Sequence, residues 1–99
     1  MLAISDYKEL LLQQKFYEAH EKLEEYWFPR RKEKSRGVLI VKGFINAAVA
    51  FELKKRGRQE SALKVWKTYK KFSLLIESDE NDFIELKEFV EDYAKKYLF

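Results

Sequence analysis

Between Val38 and Phe51 the chain runs Val-Leu-Ile-Val-Lys-Gly-Phe-Ile-Asn-Ala-Ala-Val-Ala-Phe, with only Lys42 and Asn46 polar among fourteen residues. A helix of this composition is apolar nearly all the way round, so it has to be wrapped by other elements. It is interrupted by Lys42 and falls short of the roughly 20 apolar residues that cross a bilayer. The segment therefore predicts a buried central helix, and the flanking sequence has to supply amphipathic helices to cover it.

The flanks read that way. Ser5, with Asp6 behind it, is the expected N-cap of a first helix running to about Gln13. A tight turn at Gln14-Lys15 leads into a second helix that Pro29 ends, and residues 30–35 form a charged loop. The third, central helix spans about Ser35 to Arg56, with Gly57 as its stop. A fourth runs from about Gln59 to Ile76, with Ala62, Val65, Trp66, Tyr69 and Phe72 at helical spacing. Residues 78–82 are a loop and cap, after which Phe83, Leu86, Phe89, Val90, Tyr93 and Tyr97 line one face of a fifth helix, expected to close the chain's own core. Only three Gly and one Pro occur, and no linker or low-complexity tract. The expectation is an all-α chain of 99 residues forming a single domain, 1–99, a compact bundle of about five helices.

A weak repeat runs at an offset of 43 residues. Leu10, Ala19 and Leu23 match Leu53, Ala62 and Trp66, and the Gln14-Lys15 turn matches Gly57-Arg58. Both halves then read as helical hairpins. The spacing has a tetratricopeptide-like logic, but two units are too few for a solenoid.

Chemistry concentrates on the second helix, in Phe16-Tyr17-Glu18-Ala19-His20-Glu21-Lys22-Leu23-Glu24-Glu25-Tyr26-Trp27. On a wheel of about 100° steps His20 lies about 40° from Phe16, inside the apolar stripe of Ala19, Leu23 and Trp27. Glu24 and Tyr17 flank that stripe, Glu21 is intermediate, and Glu18 and Glu25 face water. His20 and Glu24 are one turn apart, so the carboxylate can hold the imidazole. On the third helix Gly43, Asn46, Ala50 and Gly57 share a narrow stripe that Ala47 widens, which invites close approach of another helix. If the histidine helix packs there, Asn46 joins His20 and Glu24. The candidate pocket is thus Tyr17, His20, Glu21, Glu24, Trp27 and Asn46, with Gly43, Ala50 and Gly57 serving packing and turn.

This chain resembles the small helical family catalogued as domain of unknown function 309. The resemblance rests on Phe16-Tyr17-Glu18-Ala19-His20-Glu21-x-x-Glu24-x-x-Trp27, on Gly43-x-Ile45-Asn46-x-Ala48-x-Ala50-Phe51, and on Arg56-Gly57 with Ala62, over roughly residues 10–75. It implies an all-helical bundle and brings no established activity or cofactor. His20, Glu21, Glu24, Gly43 and Gly57 match its hallmarks. Members usually carry Gln at the position of Asn46, often His at Glu52, Asn at Arg58 and Gly at Ser61.

Charge and composition narrow the functions. Residues 1–76 carry a net +8 and residues 77–99 a net −5, so the acidic end could fold over the basic one. Basic residues gather at Arg30, Arg31, Lys32, Lys34 and Arg36, at Lys54, Lys55, Arg56 and Arg58, and at Lys64, Lys67, Lys70 and Lys71. A nucleic-acid contact is one reading of them, but no recognition motif accompanies it, and a solvated helix surface is preferred. Sixteen aromatics are many for one small core, which makes an exposed groove or a homo-oligomer an expectation. The absence of Cys rules out disulfides and thiol catalysis. The start Met1-Leu2-Ala3-Ile4-Ser5-Asp6 has no basic and apolar leader pattern, so a cytoplasmic location with no membrane partner is expected.

No nucleophile or phosphate loop stands near His20, so the preferred function is a non-catalytic binding or interaction module for a protein partner. The alternative is a metal-dependent hydrolase-like enzyme, with His20 and Glu24 as ligands to a divalent metal. The second alternative is nucleic-acid binding through the basic surface.

Overall fold

A computed structural model describes residues 3–99, and Met1 and Leu2, on which part of the leader expectation rests, lie outside it. Five helices follow one another: α1 (Ile4–Leu12), α2 (Phe16–Trp27), α3 (Arg36–Lys55), α4 (Gln59–Ser73) and α5 (Asn81–Tyr97). A single 3-10 turn, Phe28–Arg30, continues α2 through Pro29. The fold is an all-α bundle. Among the described residues no helix is long and apolar enough to cross a membrane.

α3 is the central element. Residues on every side of it are buried, from Val38, Ile40 and Val41 through Phe44, Ile45, Ala47 and Ala48 to Ala50 and Phe51. α1 and α2 form one hairpin, α3 and α4 a second, and α5 closes the core with Leu86, Val90, Ala94 and Leu98. A buried hydrogen bond joins the hairpins where the Tyr7 phenol donates to the Phe44 carbonyl at 2.6 Å. Burial pushes that phenol well above its ordinary pKa.

The 43-residue repeat is visible in the backbone. In the first turn Gln14 N donates to Leu11 O and Lys15 N to Leu10 O; in the second Gly57 N donates to Lys54 O and Arg58 N to Leu53 O. Among the described residues Gln14 and Gly57 are those of positive φ, at 58° and 78°. Both turns are Schellman stops of the same form. The next helix of each half begins alike, with Ala19 N to Lys15 O and Ala62 N to Arg58 O, and both alanines are fully buried. Lys55 Nζ donates to the Gln14 carbonyl at 2.9 Å and so ties one turn to the other helix pair.

Three sequence expectations are corrected. Ser5 is not the N-cap: α1 starts at Ile4 with Ala3 before it and no side-chain cap, because Ile4 packs on the core together with Tyr7 and Leu11. α4 stops at Ser73, three residues before Ile76. There the Ser73 hydroxyl donates to the Lys70 carbonyl at 2.7 Å, and Arg36 from the head of α3 reaches the Leu75 carbonyl and both Glu77 and Glu80. The small-residue stripe does not receive the histidine helix at Gly43. A Cβ built there would stand 2.8 Å from the Phe72 Cβ, so Gly43 admits α4.

Candidate functional site

His20 is the fifth residue of α2 and sits on the shoulder of its buried stripe of Phe16, Ala19 and Leu23. Its side chain is 20% exposed and that of Glu24 37%. The imidazole Nε2 lies 3.0 Å from Glu24 Oε1, and Nδ1 lies 3.3 Å from the Tyr17 carbonyl oxygen. A carboxylate and a carbonyl are both acceptors, and a neutral imidazole carries one N–H, so the ring donates to whichever of the two its tautomer serves. Both acceptors belong to α2, so its own helix sets the orientation of the ring. The Tyr17 ring, more than half exposed, leans over it at 5.5 Å between centroids.

A cleft of about 260 Å³ opens at this point between α2 and α3. Phe16, Tyr17 and His20 form one wall, while Val49, Glu52, Leu53 and Arg56 form the other. Arg56 Nε donates to Glu52 Oε2 at 2.6 Å, so the charges of the second wall are paired along their own helix as His20 is paired with Glu24. What faces the opening between these two pairs is mainly apolar. Behind it the Phe16 ring packs on Phe51 at 5.6 Å and on Tyr97 at 5.3 Å, so α3 and α5 both buttress the first wall. Burial, and then the nearby Glu52 charge, raises the Tyr97 phenol.

The six residues expected to share a pocket divide among several places. Tyr17 and His20 line the cleft. Glu24 touches His20 and borders, with Glu21, a shallow hollow on the solvent side of α2. Trp27 and Asn46 both meet Lys42: its ammonium lies 5.9 Å from the Trp27 ring, and its carbonyl accepts from Asn46 Nδ2 at 2.9 Å. The hydrogen bond of Asn46 is therefore to its own helix, one turn back. Among the described residues no group of three or more His, Asp or Glu side chains is gathered as a metal ion would need.

Sequence reasoning did not pick out the α3 wall. Its signal was present, since Val49, Leu53 and Arg56 follow Asn46 at spacings that share one helix face. The basic loop is also more committed than its composition suggested. Arg30 donates to the Tyr26 carbonyl at 2.7 Å and Arg31 to the Phe28 carbonyl at 2.8 Å, where they cap the end of α2 and suit its dipole.

The model of the family described as a domain of unknown function, DUF309, matches residues 4–65. The chain belongs to DUF309. The match takes in α1, α2, α3 and the first part of α4, so the DUF309 span contains both walls of the cleft and stops short of α5. Compared with the curated proteins and with the solved structures, this DUF309 chain finds no match.

Proposed function

We propose that the chain is a non-catalytic binding module whose recognition site is the cleft between α2 and α3, and that it takes an apolar side chain of a protein partner. The observation that carries this reading is the state of His20. Both ring nitrogens lie beside acceptors of its own helix, at 3.0 Å and 3.3 Å, which supports reading His20 as part of a fixed wall. The only hydroxyl on the walls is the exposed Tyr17 phenol, so no activated nucleophile stands beside it. A volume of about 260 Å³ accommodates one large side chain, seated on Val49 and Leu53. The polar groups of the cleft, His20 beside Glu24 and Arg56 beside Glu52, remain at the rim for polar contacts.

The test is a small-molecule fragment screen by two-dimensional NMR on wild type and on His20→Ala and Val49→Asp. Aromatic and aliphatic fragments are expected to shift the amides of Tyr17, His20, Val49 and Leu53 in wild type, and to lose that effect in Val49→Asp. His20→Ala is expected to keep its fold within about 1 kcal/mol, since a partly exposed polar contact between side chains one turn apart contributes little. Turnover of any substrate that disappears in His20→Ala while the fold persists would overturn the reading.

A second reading is a metal-assisted hydrolase in which His20 Nε2 and Glu24 Oε1, 3.0 Å apart, would be two of the ligands. An ion there would act as a Lewis acid, with water filling the remaining positions. Manganese added to the protein should then broaden His20 resonances selectively; uniform or absent broadening removes this reading. The cytoplasmic setting expected from the sequence belongs to the same proposal and is checked by cell fractionation.

A further inference from the structure

α2 turns Glu18, Glu21 and Glu25 to solvent, and Phe28 follows them with 56% of its surface exposed. α4 turns Lys64, Lys67 and Lys71 to solvent, and Leu74 follows at 82%. The spacing is the same in both, steps of three, four and three residues that run along one face of a helix. None of these six charges enters an ion pair among the described residues. Their neighbours do: Glu24 holds His20, and Lys70 meets Glu91 at 3.2 Å. The acidic ridge also rims the hollow on α2, about 430 Å³ in volume, to which Phe28 contributes.

We propose that these ridges are the two halves of a contact between copies of this chain, α2 of one copy lying parallel to α4 of the next. Aligned with an offset of 46 residues, Glu18 faces Lys64, Glu21 faces Lys67, Glu25 faces Lys71, and Phe28 meets Leu74. Residues of the wrong sign fall opposite neutral ones: Lys22 opposite Thr68, and Glu60 opposite Gln14. The antiparallel alignment is poorer. It pairs Glu21 with Lys71 and Glu25 with Lys67 but sets Glu18 on Leu74 and Lys64 on Phe28. Acid on one copy meets base on the other, so the contact is either reciprocated about a two-fold axis or repeated head to tail. It does not depend on what the His20 cleft binds.

Exposed ion pairs are individually weak and are screened by salt, so the association is salt-sensitive and of modest affinity. The test is sedimentation equilibrium of the full chain at about 20 mM and about 500 mM salt, conditions between which screening shortens severalfold in range. Wild type should self-associate at low salt and weaken roughly tenfold or more at high salt. The double variants E21K/E25K and K67E/K71E change only exposed positions and should keep the wild-type circular dichroism spectrum. Each should be monomeric alone, and an equimolar mixture should associate again, because both reversed and native ridges then find opposite charge. Phe28→Ser with Leu74→Ser, which leaves every charge in place, should also weaken association. A wild type that stays monomeric at low salt, association that survives both charge reversals, or a mixture that stays monomeric overturns the proposal. So does a monomeric wild type that binds RNA through Lys67 and Lys71, which would assign the basic ridge to nucleic acid.

Discussion

Gln14 and Gly57 occupy equivalent places in two turns of the same form, and only one of them is a glycine. A non-glycine residue at positive φ costs about 1 kcal/mol through contact between its Cβ and the following carbonyl. Gln14→Gly is therefore expected to stabilise the protein by about 0.5–1 kcal/mol, and Gly57→Ala to destabilise it by about 1 kcal/mol. Nothing lies within 4 Å of a Cβ built at Gly57, so the cost there is purely conformational. Gly43 is the opposite case. It is an ordinary helical residue, but a Cβ would meet the Phe72 Cβ at 2.8 Å, an atom too close to its backbone to swing aside. Gly43→Ala should cost about 1–3 kcal/mol by forcing α4 off α3. Urea unfolding of the three variants checks all of these. His20 belongs to the same scale. A histidine wholly buried for packing would cost about 1–3 kcal/mol on replacement, but this one is a fifth exposed and its partner more than a third, which lowers the expected cost.

Among the elements, the join between α4 and α5 is tied to the head of α3 by one arginine. Arg36 at the head of α3 pairs with Glu77 at 3.2 Å and with Glu80, whose carboxylate also accepts from the Glu77 amide at 2.8 Å. The hydrogen bond from Arg36, and then that amide, hold the Glu80 carboxyl below the ordinary value of 4.5. A carboxyl lowered in the folded state contributes stability in full above its unfolded pKa and loses it as pH falls through the folded one. Arg36→Gln is thus expected to lower Tm at pH 7. The gap to wild type should close as pH falls below the carboxylate range, which calorimetry across pH measures. The same contacts explain why the apolar spacing of α4 overran its true end. Periodicity continues to Ile76, but a carbonyl claimed by the Ser73 hydroxyl and a loop gripped from another helix are not written in the local pattern. The uneven charge, by contrast, allowed acidic and basic segments to meet, and Arg36 meets Glu80 and Lys70 meets Glu91.

For the molecule as a whole, α5 lies outside residues 4–65, which the family model matches, and yet completes the core. Leu86, Val90 and Leu98 are buried to within 1% of completely, and Tyr93 and Tyr97 pack on Phe16 and Phe51. Three fully buried aliphatic side chains contribute about 5–9 kcal/mol, comparable with the 5–15 kcal/mol that holds a typical domain together. A chain ended after Glu77 should therefore lose its cooperative thermal transition and bind a hydrophobic dye, and the full chain is expected to do neither. The amino-acid sequence by itself determined that the chain is helical, that α3 is central, and where the turns at Gln14 and Gly57 fall, because periodicity, glycine and an all-apolar segment are local properties. It also determined that His20 and Glu24 meet, since one helical turn brings them together whatever else packs nearby. Only the tertiary structure decided that Val49, Leu53 and Arg56 face His20 while Trp27 and Asn46 gather around Lys42. The faces of α3 that take α2 and α4 are set by which side chains fit together, at Gly43 against Phe72 above all, and that fit joins residues 29 positions apart in the chain.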